Sequence, residues 1–380
     1  ATASTARAAG TPWSLALASA PDTLVFLQQG TLGRLFVRDG LAPAATGAGS
    51  GAPRDAVTLL EPDGRKLWTV PVWPGAEPAL LTAPPLPMPD GGVILCTDRG
   101  LARVDVAGTH RWKLDAAPCS AVIRGRHQPI VAVARGAVLA LDPEGAVTWR
   151  YPTALPAAID VLVDGSVVVA TRGAARGLDG FGKPFWELSD PLLEPRLVGA
   201  TDRGVFVAVR RPAPAGGLDP TPASVTAAAT PASGSLPGEA AAVPPPATVT
   251  GAVRLLPPAA GASAPPARRD VTAPGAPALP MPDGLAGLED GATLYAVGPD
   301  GALRWRALCA SPALVVFGEI VCAAGTSARV YRADGKLLAD VLFPGGVVMA
   351  AVATPEWVHA VVRSASGAAT LRGAPRPPAP

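Results

Sequence analysis

The side chains of this sequence that could perform chemistry are few and scattered. Its three histidines, His110, His127 and His359, lie far from one another in turn or strand contexts. A metal site needs several His, Cys, Asp or Glu ligands at short spacings, and the sequence contains no such group. We therefore predict that the histidines are surface residues or hydrogen-bonded structural residues, and that no residue binds a metal.

One segment, 177–183, has the composition of a phosphate-binding loop, Gly-Leu-Asp-Gly-Phe-Gly-Lys. Such a loop connects a strand to a helix and places a Ser or Thr directly after the Lys, where its hydroxyl reaches magnesium. Here Pro184 takes that place, and the segment lies between two predicted strands. The Gly-x-Ser-x-Gly motif of a hydrolase nucleophile is absent as well. We predict no catalytic residue, no cofactor and no enzymatic activity.

The four cysteines, Cys96, Cys119, Cys309 and Cys322, form no Cys-x-x-Cys motif. We expect buried thiols on strands. One disulfide is an alternative, but the spacing does not choose its pair.

The composition excludes several classes of partner. A net charge of +2 gives no broad basic surface, so we predict no nucleic-acid partner. No apolar run reaches the roughly 20 residues of a membrane helix, which leaves a lipid anchor or a partner as the route to a membrane. The first residues resemble the small, polar tether of a mature exported protein, although a trimmed cytosolic protein would look the same. The absence of Asn and the scarcity of Lys indicate a GC-rich genome.

The elements that would position any site are copies of one unit. The clearest copy is 140–149, Ala-Leu-Asp-Pro-Glu-Gly-Ala-Val-Thr-Trp, which reads as a strand end, a tight Asp/Gly turn and a second strand ending in Trp. A degenerate copy has Ala339 at the Trp position. In five copies a Gly stands four residues before the Trp: Gly64 and Trp68, Gly108 and Trp112, Gly145 and Trp149, Gly182 and Trp186, and Gly301 and Trp305.

A repeat of about 40 residues built from short strands is typical of a β-propeller. Two further strand-like runs precede each copy, so each period holds four strands. We predict an all-β propeller of four-stranded antiparallel blades, with eight blades and seven as the alternative. A strand at 15–18 would begin the first blade, and residues 5–13 would close the ring by supplying the outer strand of the last blade. Four acidic turn residues are expected to accept hydrogen bonds within their own turns: Asp63, Asp142, Asp179 and Asp300.

Several segments fall outside the regular repeats. We interpret 1–12 as a flexible N-terminal segment or closing strand, 13–372 as the propeller and 373–380 as a Pro-rich tail. Within the propeller, 212–277 is dominated by Ala, Pro, Gly, Ser and Thr and has no aromatic residue, which predicts a long disordered insertion. Residues 250–256 are the candidate third strand of the interrupted blade.

A Trp on an outer strand can cover the face of the neighbouring blade. Its burial removes about 150–250 Å² from water, which at ~25 cal/mol per Å² stabilises the fold by several kcal/mol. A ligand needs one stacking platform and not five at a repeated position. We therefore predict that the Gly and Trp residues of the five copies form a structural blade motif.

The unit at 140–149 resembles the tryptophan-docking repeat of quinoprotein-like (PQQ-like) β-propellers, and the resemblance covers most of the chain outside 212–277. This version is one residue shorter than the usual repeat. The enzymes of that family hold a metal and the quinone with Glu, Asn and Asp, and often cover the quinone with adjacent cysteines. The chain has no Asn and no Cys-Cys pair. The resemblance therefore implies the non-enzymatic branch, which includes the propeller lipoprotein of the outer-membrane β-barrel assembly machinery.

The leading functional hypothesis is a non-catalytic, monomeric propeller that acts as a protein–protein interaction scaffold in the periplasm or outer envelope of a bacterium. A cytoplasmic location is the alternative. A second hypothesis is a ligand-binding or enzymatic propeller with its site in the central channel. A third is a spacer module with 212–277 as a flexible arm.

Overall fold

The computed structural model describes most of the chain. The described residues are 11–17, 27–41, 54–75, 77–124, 129–162, 164–191, 193–201, 204–209, 252–256, 269–272, 276–281, 284–289, 293–298, 302–309, 314–316 and 319–377.

The described strands form eight four-stranded antiparallel sheets, which are numbered 1 to 8 in chain order. Within each sheet the strands are given from the innermost to the outermost. The first strand of the chain, β1 (Trp13–Ala16), belongs to sheet 8. A 3-10 turn, Thr31–Gly33, lies in sheet 1 between its first two strands.

Sheets 1 to 4 contain β2 (Leu27–Gln29), β3 (Leu35–Leu41), β4 (Arg54–Leu60) and β5 (Lys66–Pro71); β6 (Leu86–Pro87), β7 (Val93–Thr97), β8 (Gly100–Val104) and β9 (His110–Leu114); β10 (Cys119–Arg124), β11 (Ile130–Ala134), β12 (Ala137–Leu141) and β13 (Val147–Pro152); and β14 (Ala158–Val161), β15 (Val167–Thr171), β16 (Ala174–Leu178) and β17 (Pro184–Ser189). Sheets 5 to 8 contain β18 (Leu193–Thr201), β19 (Gly204–Val209), β20 (Ala252–Leu256) and β21 (Arg269–Thr272); β22 (Ala276–Met281), β23 (Gly284–Glu289), β24 (Thr293–Val297) and β25 (Leu303–Leu308); β26 (Leu314–Val316), β27 (Glu319–Ala324), β28 (Ser327–Arg332) and β29 (Leu337–Leu342); and β30 (Val347–Ala353), β31 (Trp357–Arg363), β32 (Ala369–Pro375) and β1.

The innermost strands form a closed ring. Each first strand, from β2 to β30, contacts the first strand of the next sheet, and β30 contacts β2. This arrangement, with no α-helix among the described residues, confirms the predicted all-β propeller. No described helix is long and apolar enough to cross a membrane.

The core lies between the sheets because each sheet packs on both of its faces. The middle strands β7, β11, β12 and β15 are buried at every residue, and their sequences are almost continuously apolar, as expected for strands covered on both sides. The outer strands alternate between exposed and half-buried residues, as in β13. The burial pattern of each strand therefore follows from its position between the inside and the outside of the ring.

The ring closes through the two ends of the chain. β1 pairs with β32, with Trp13 opposite Gly373 and Ala16 opposite Thr370. The predicted closing strand at 5–13 is thus displaced to Trp13–Ala16, and the assignment of 15–18 to the first blade is wrong. The predicted tail at 373–380 is also wrong at its start, because β32 continues to Pro375.

Sheet 5 contains strands on both sides of the low-complexity sequence. β20 (Ala252–Leu256) pairs with β19 as the third strand, where 250–256 was expected, and β21 (Arg269–Thr272) completes the sheet. The prediction of a disordered insertion over 212–277 is therefore wrong at its C-terminal end, where β20 and β21 lie. Its remainder lies outside the described residues.

Candidate functional site

The predicted Gly and Trp residues meet between sheets, not within a sheet. The Trp on the outer strand of one sheet lies over the Gly in the last turn of the next sheet. We call this contact a clasp. Five clasps are described: Trp13 on Gly64, Trp68 on Gly108, Trp112 on Gly145, Trp149 on Gly182, and Trp305 on Gly335.

A hydrogen bond fixes the orientation of the indole in four clasps. The indole N–H donates to the carbonyl two residues before the Gly, over 3.0 Å from Trp13 to Pro62 and 2.9 Å from Trp68 to Val106. The same bond is 3.0 Å from Trp112 and 2.9 Å from Trp305. Such a bond contributes about 0.5–1.5 kcal/mol, and Phe has no donor with which to make it, which explains why Trp occupies the position better than Phe.

The glycines are required for two reasons. Gly64 and Gly145 have φ of 82° and 88°, a region that L side chains rarely adopt. A Cβ at Gly64 would lie 2.4 Å from the Trp13 ring, and one at Gly145 would lie 2.5 Å from the Trp112 ring. Any side chain at these positions would therefore strain the turn and push the Trp away.

The acidic turn residues act locally. The Asp142 carboxylate accepts a hydrogen bond from the Ala146 amide over 2.8 Å, and Asp179 accepts one from Lys183 over 2.8 Å. Asp63 accepts one from Arg65 over 3.0 Å. These bonds confirm the predicted role of three of the four acidic residues, while Asp300 lies outside the described residues.

Two clasp residues were absent from the predicted motif, Trp13 and Gly335. The signal for Gly335 was present in the degenerate copy, but Trp13 follows no Asp/Gly turn and had no such signal. Trp186 is described, whereas the turn that would face it and Gly301 lie outside the described residues. Ala339 occupies the Trp position of the repeat in sheet 7, next to sheet 8. Because sheet 8 has no turn between its last two strands, β32 and β1, a Trp at 339 would have no turn glycine to cover.

A cavity of about 420 Å³ opens where sheet 8 meets sheet 1. We call it the junction pocket. Turns from both sheets form it, and its apolar walls come from Leu32, Pro62, Pro355 and Trp357. The volume lies within the ~300–1,000 Å³ range of typical ligand sites. Because these residues belong to turns and strand ends, the pocket lies at one end of the two sheets and not among the first strands that surround the channel.

The polar side of the junction pocket carries one carboxylate that is not neutralised within the described part of the chain. Glu356 is exposed at the pocket, and no described hydrogen bond or ion pair involves its side chain. By contrast, the nearby Glu61 is held by Arg34 at 3.0 Å and by Arg65 at 3.7 Å. The pocket therefore combines apolar walls with a negative charge available for a ligand.

Leu32 stands out on the pocket wall. It is 81% exposed and has a φ of 59°, the left-handed region. An exposed Leu in this conformation costs free energy without contributing to the core. Such strain is concentrated at functional sites in proteins.

A buried histidine packs against Trp357 of the pocket wall. His359 is completely buried, and neither ring nitrogen has a hydrogen-bond partner among the described atoms. Its ring lies 5.6 Å from that of Trp13 and 6.0 Å from that of Trp357. Burial lowers the pKa of His359 to about 3, because the apolar surroundings disfavour the charged ring. The prediction of a satisfied or surface histidine is thus wrong for His359, whereas His110 bonds to the Pro71 carbonyl at 3.0 Å; His127 lies outside the described residues.

The segment with the composition of a phosphate-binding loop lies in a turn between two strands. Residues 177–183 form the end of β16 and a turn before β17, and no helix follows them. The expectation of buried thiols is wrong for Cys96 and Cys119, which form a disulfide that joins β7 of sheet 2 to β10 of sheet 3. Cys309 and Cys322 are buried free thiols as expected, although Cys309 lies directly after a strand and not on it. Within the described ranges, no three His, Cys, Asp or Glu side chains are grouped to hold a metal ion.

The comparisons with known proteins show the fold of the chain but no family to which it belongs. No family model matches the chain, and no curated protein matches it. The crystal structure of BamB from Moraxella catarrhalis aligns with 95% of this chain and 98% of its own, with a TM-score of 0.53 and 12% identity. Virginiamycin B lyase from Staphylococcus aureus aligns with 96% of this chain and 98% of its own, at a TM-score of 0.46 and 9% identity. The similarity to BamB, at this low identity, shows that the chain has the β-propeller fold.

Proposed function

We propose that the protein is a non-catalytic propeller of the PQQ-like type that binds a protein partner in the bacterial cell envelope, and that the partner docks in the junction pocket. The observation that carries the proposal is the combination of apolar walls, an un-neutralised Glu356 and a strained, exposed Leu32 in one cavity.

The chemistry of the pocket selects one kind of occupant. An apolar side chain would fill the space between Pro62, Pro355 and Trp357, and a cation beside it would meet the Glu356 carboxylate. The occupant is therefore an extended segment of the partner that carries an apolar residue next to a Lys or Arg. Charge complementarity of this kind sets the orientation and the specificity of a complex.

Two observations support an envelope location, the periplasm or the outer envelope. The Cys96–Cys119 disulfide is typical of proteins that fold in an oxidising compartment. The resemblance of the repeat unit to non-enzymatic envelope propellers favours the same compartment.

A crosslinking experiment tests the docking site. A photoreactive benzoyl-phenylalanine replaces Leu32 in the full chain, in its native cells, and the crosslinked peptide is mapped by mass spectrometry. We expect a partner segment with an apolar residue beside a Lys or Arg. Glu356→Lys should reduce the crosslink at least ~10-fold, since like charges then meet, and Glu356→Gln should reduce it less.

The matched control places the same probe at Phe181, which is 80% exposed in the turn after β16. The Phe181 probe should not capture that segment. Capture of the same segment from both positions, or a Leu32 crosslink that Glu356→Lys leaves unchanged, would contradict docking in the junction pocket.

A further inference from the structure

Two cysteines outside the Cys96–Cys119 disulfide lie in one buried cluster. Cys309 directly follows β25 of sheet 6, and Cys322 lies on β27 of sheet 7. Each is only 1% exposed. Both belong to the apolar cluster that fills the space between these sheets, with Ile320 and Tyr331.

In this structure both residues are free thiols, and they are neighbours in the cluster. The neighbouring Cys309 thiol, through a hydrogen bond, is the largest cause that raises the pKa of the Cys322 thiol, and burial adds to it. The backbone beside Cys309 is anchored, because the Tyr331 hydroxyl donates a hydrogen bond to the Leu308 carbonyl over 3.3 Å. Two neighbouring sulfurs in one buried cluster, one on β27 and the other directly after β25, are close enough for a small shift to bring them to bonding distance.

The existing disulfide shows what such a bond does in this ring. Cys96 and Cys119 connect sheets 2 and 3, with Cα atoms 5.5 Å apart. Cys309 and Cys322 occupy the junction of sheets 6 and 7, which lies four sheets further along the ring of eight. We propose that Cys309 and Cys322 form a second disulfide, which joins sheet 6 to sheet 7 on the opposite side of the ring.

The oxidation needs a disulfide-bearing oxidant, such as a thiol–disulfide exchange protein or oxidised glutathione. One Cys thiolate attacks a sulfur of the oxidant, whose S–S bond breaks to give a mixed disulfide. The second Cys thiolate then displaces the other sulfur, so that the Cys309–Cys322 bond forms. The two thiol protons and two electrons leave with the reduced oxidant as two thiols. Because the folded chain buries both cysteines, the exchange takes place during folding, before the junction closes.

Mass spectrometry of the full chain tests the bond. The reduced, unfolded protein is refolded with oxidised and reduced glutathione, unfolded again without reductant at acidic pH, and treated with N-ethylmaleimide. Two disulfides leave no site for the reagent, so we expect no adduct, and four adducts after prior reduction. A peptide map should show a linked pair containing Cys309 and Cys322.

Adducts on both Cys309 and Cys322 would overturn the proposal, whether or not Cys96 and Cys119 are protected. A linked pair of other composition, such as Cys96 with Cys322, would overturn it too. The double variant Cys309→Ser/Cys322→Ser gives a second readout: reduction should lower the melting temperature of the unmodified chain by several degrees more than that of the variant, which keeps only the Cys96–Cys119 bond, and equal shifts would overturn the proposal.

Discussion

Sheets 3 and 8 are both four-stranded sheets of the ring, but their last two strands are connected differently. In sheet 3 a tight turn around Gly145 joins the last two strands, β12 and β13. In sheet 8 the last two strands, β32 and β1, come from opposite ends of the chain and pair without a connecting turn. The outer Trp of sheet 3 packs on an already connected structure, whereas Trp13 also holds the ring closed.

The surroundings of the two outer tryptophans reflect this difference. Trp13 is only 5% exposed, and it contacts Gly64 of sheet 1, Gly373 of sheet 8 and the ring of His359. Trp149 of sheet 3 is half-buried, and its indole nitrogen has no described hydrogen-bond partner. In the closing sheet, the contacts of one Trp therefore take the place of the covalent turn that joins the last two strands of sheet 3.

Trp13→Ala tests this comparison with the largest expected effect. We expect it to lower the free energy of unfolding by about 3–5 kcal/mol, the usual cost of removing a buried Trp. Trp149→Ala, the matched control, should cost less because its side chain is partly exposed and its sheet is closed by a turn. Urea denaturation followed by far-UV circular dichroism measures both, and equal losses would show that the closing strand has no special role.

Gly64→Ala tests the contact between Trp13 and the last turn of sheet 1. The new Cβ would lie 2.4 Å from the Trp13 ring and the backbone has a φ of 82°, so we expect a loss of about 3 kcal/mol from strain and displaced packing together. Gly75→Ala is the control, because its φ is 97° but nothing lies within 4 Å of the new Cβ. That variant should lose only the ~1–2 kcal/mol of backbone strain. Similar melting temperatures for the two variants would argue against the clasp.

His359 gives the closing sheet its own pH dependence. Its pKa is about 3 in the folded chain and ordinarily near 6.5, so below pH 6.5 the unfolded chain binds a proton that the folded chain does not. Stability is then complete above pH 6.5 and falls between pH 6.5 and 3, by roughly 2–3 kcal/mol at pH 4.5. His359→Leu should remove this dependence in denaturation curves measured from pH 7 to 4.

The control for that experiment is His110, whose pKa is also lowered, chiefly by burial, but which keeps a bond to the Pro71 carbonyl. His110→Leu should change the pH profile less. A profile unaffected by His359→Leu would mean that the ring is hydrated or bonded in solution.

Much of the architecture could be predicted because it depends on local chemistry. The turn around Asp142 and Gly145 needs a residue that tolerates positive φ and a carboxylate that accepts neighbouring amides, and both are visible in the sequence. The junction pocket could not be predicted in this way. Its walls combine Leu32 and Pro62 with Pro355 and Trp357, and no local pattern relates positions so far apart in the chain.

The sequence by itself determined the repeat, the four-strand period and the turns, since each depends on residues within a few positions of one another. The tertiary structure alone decided which partners meet: Trp68 over Gly108 instead of its own Gly64, Trp13 over Gly64, and Cys96 with Cys119. The physical reason is ring closure. Packing one sheet on the next brings together residues about a full repeat apart, and joining the two ends gives the terminal strand a contact that its own neighbours in sequence do not encode.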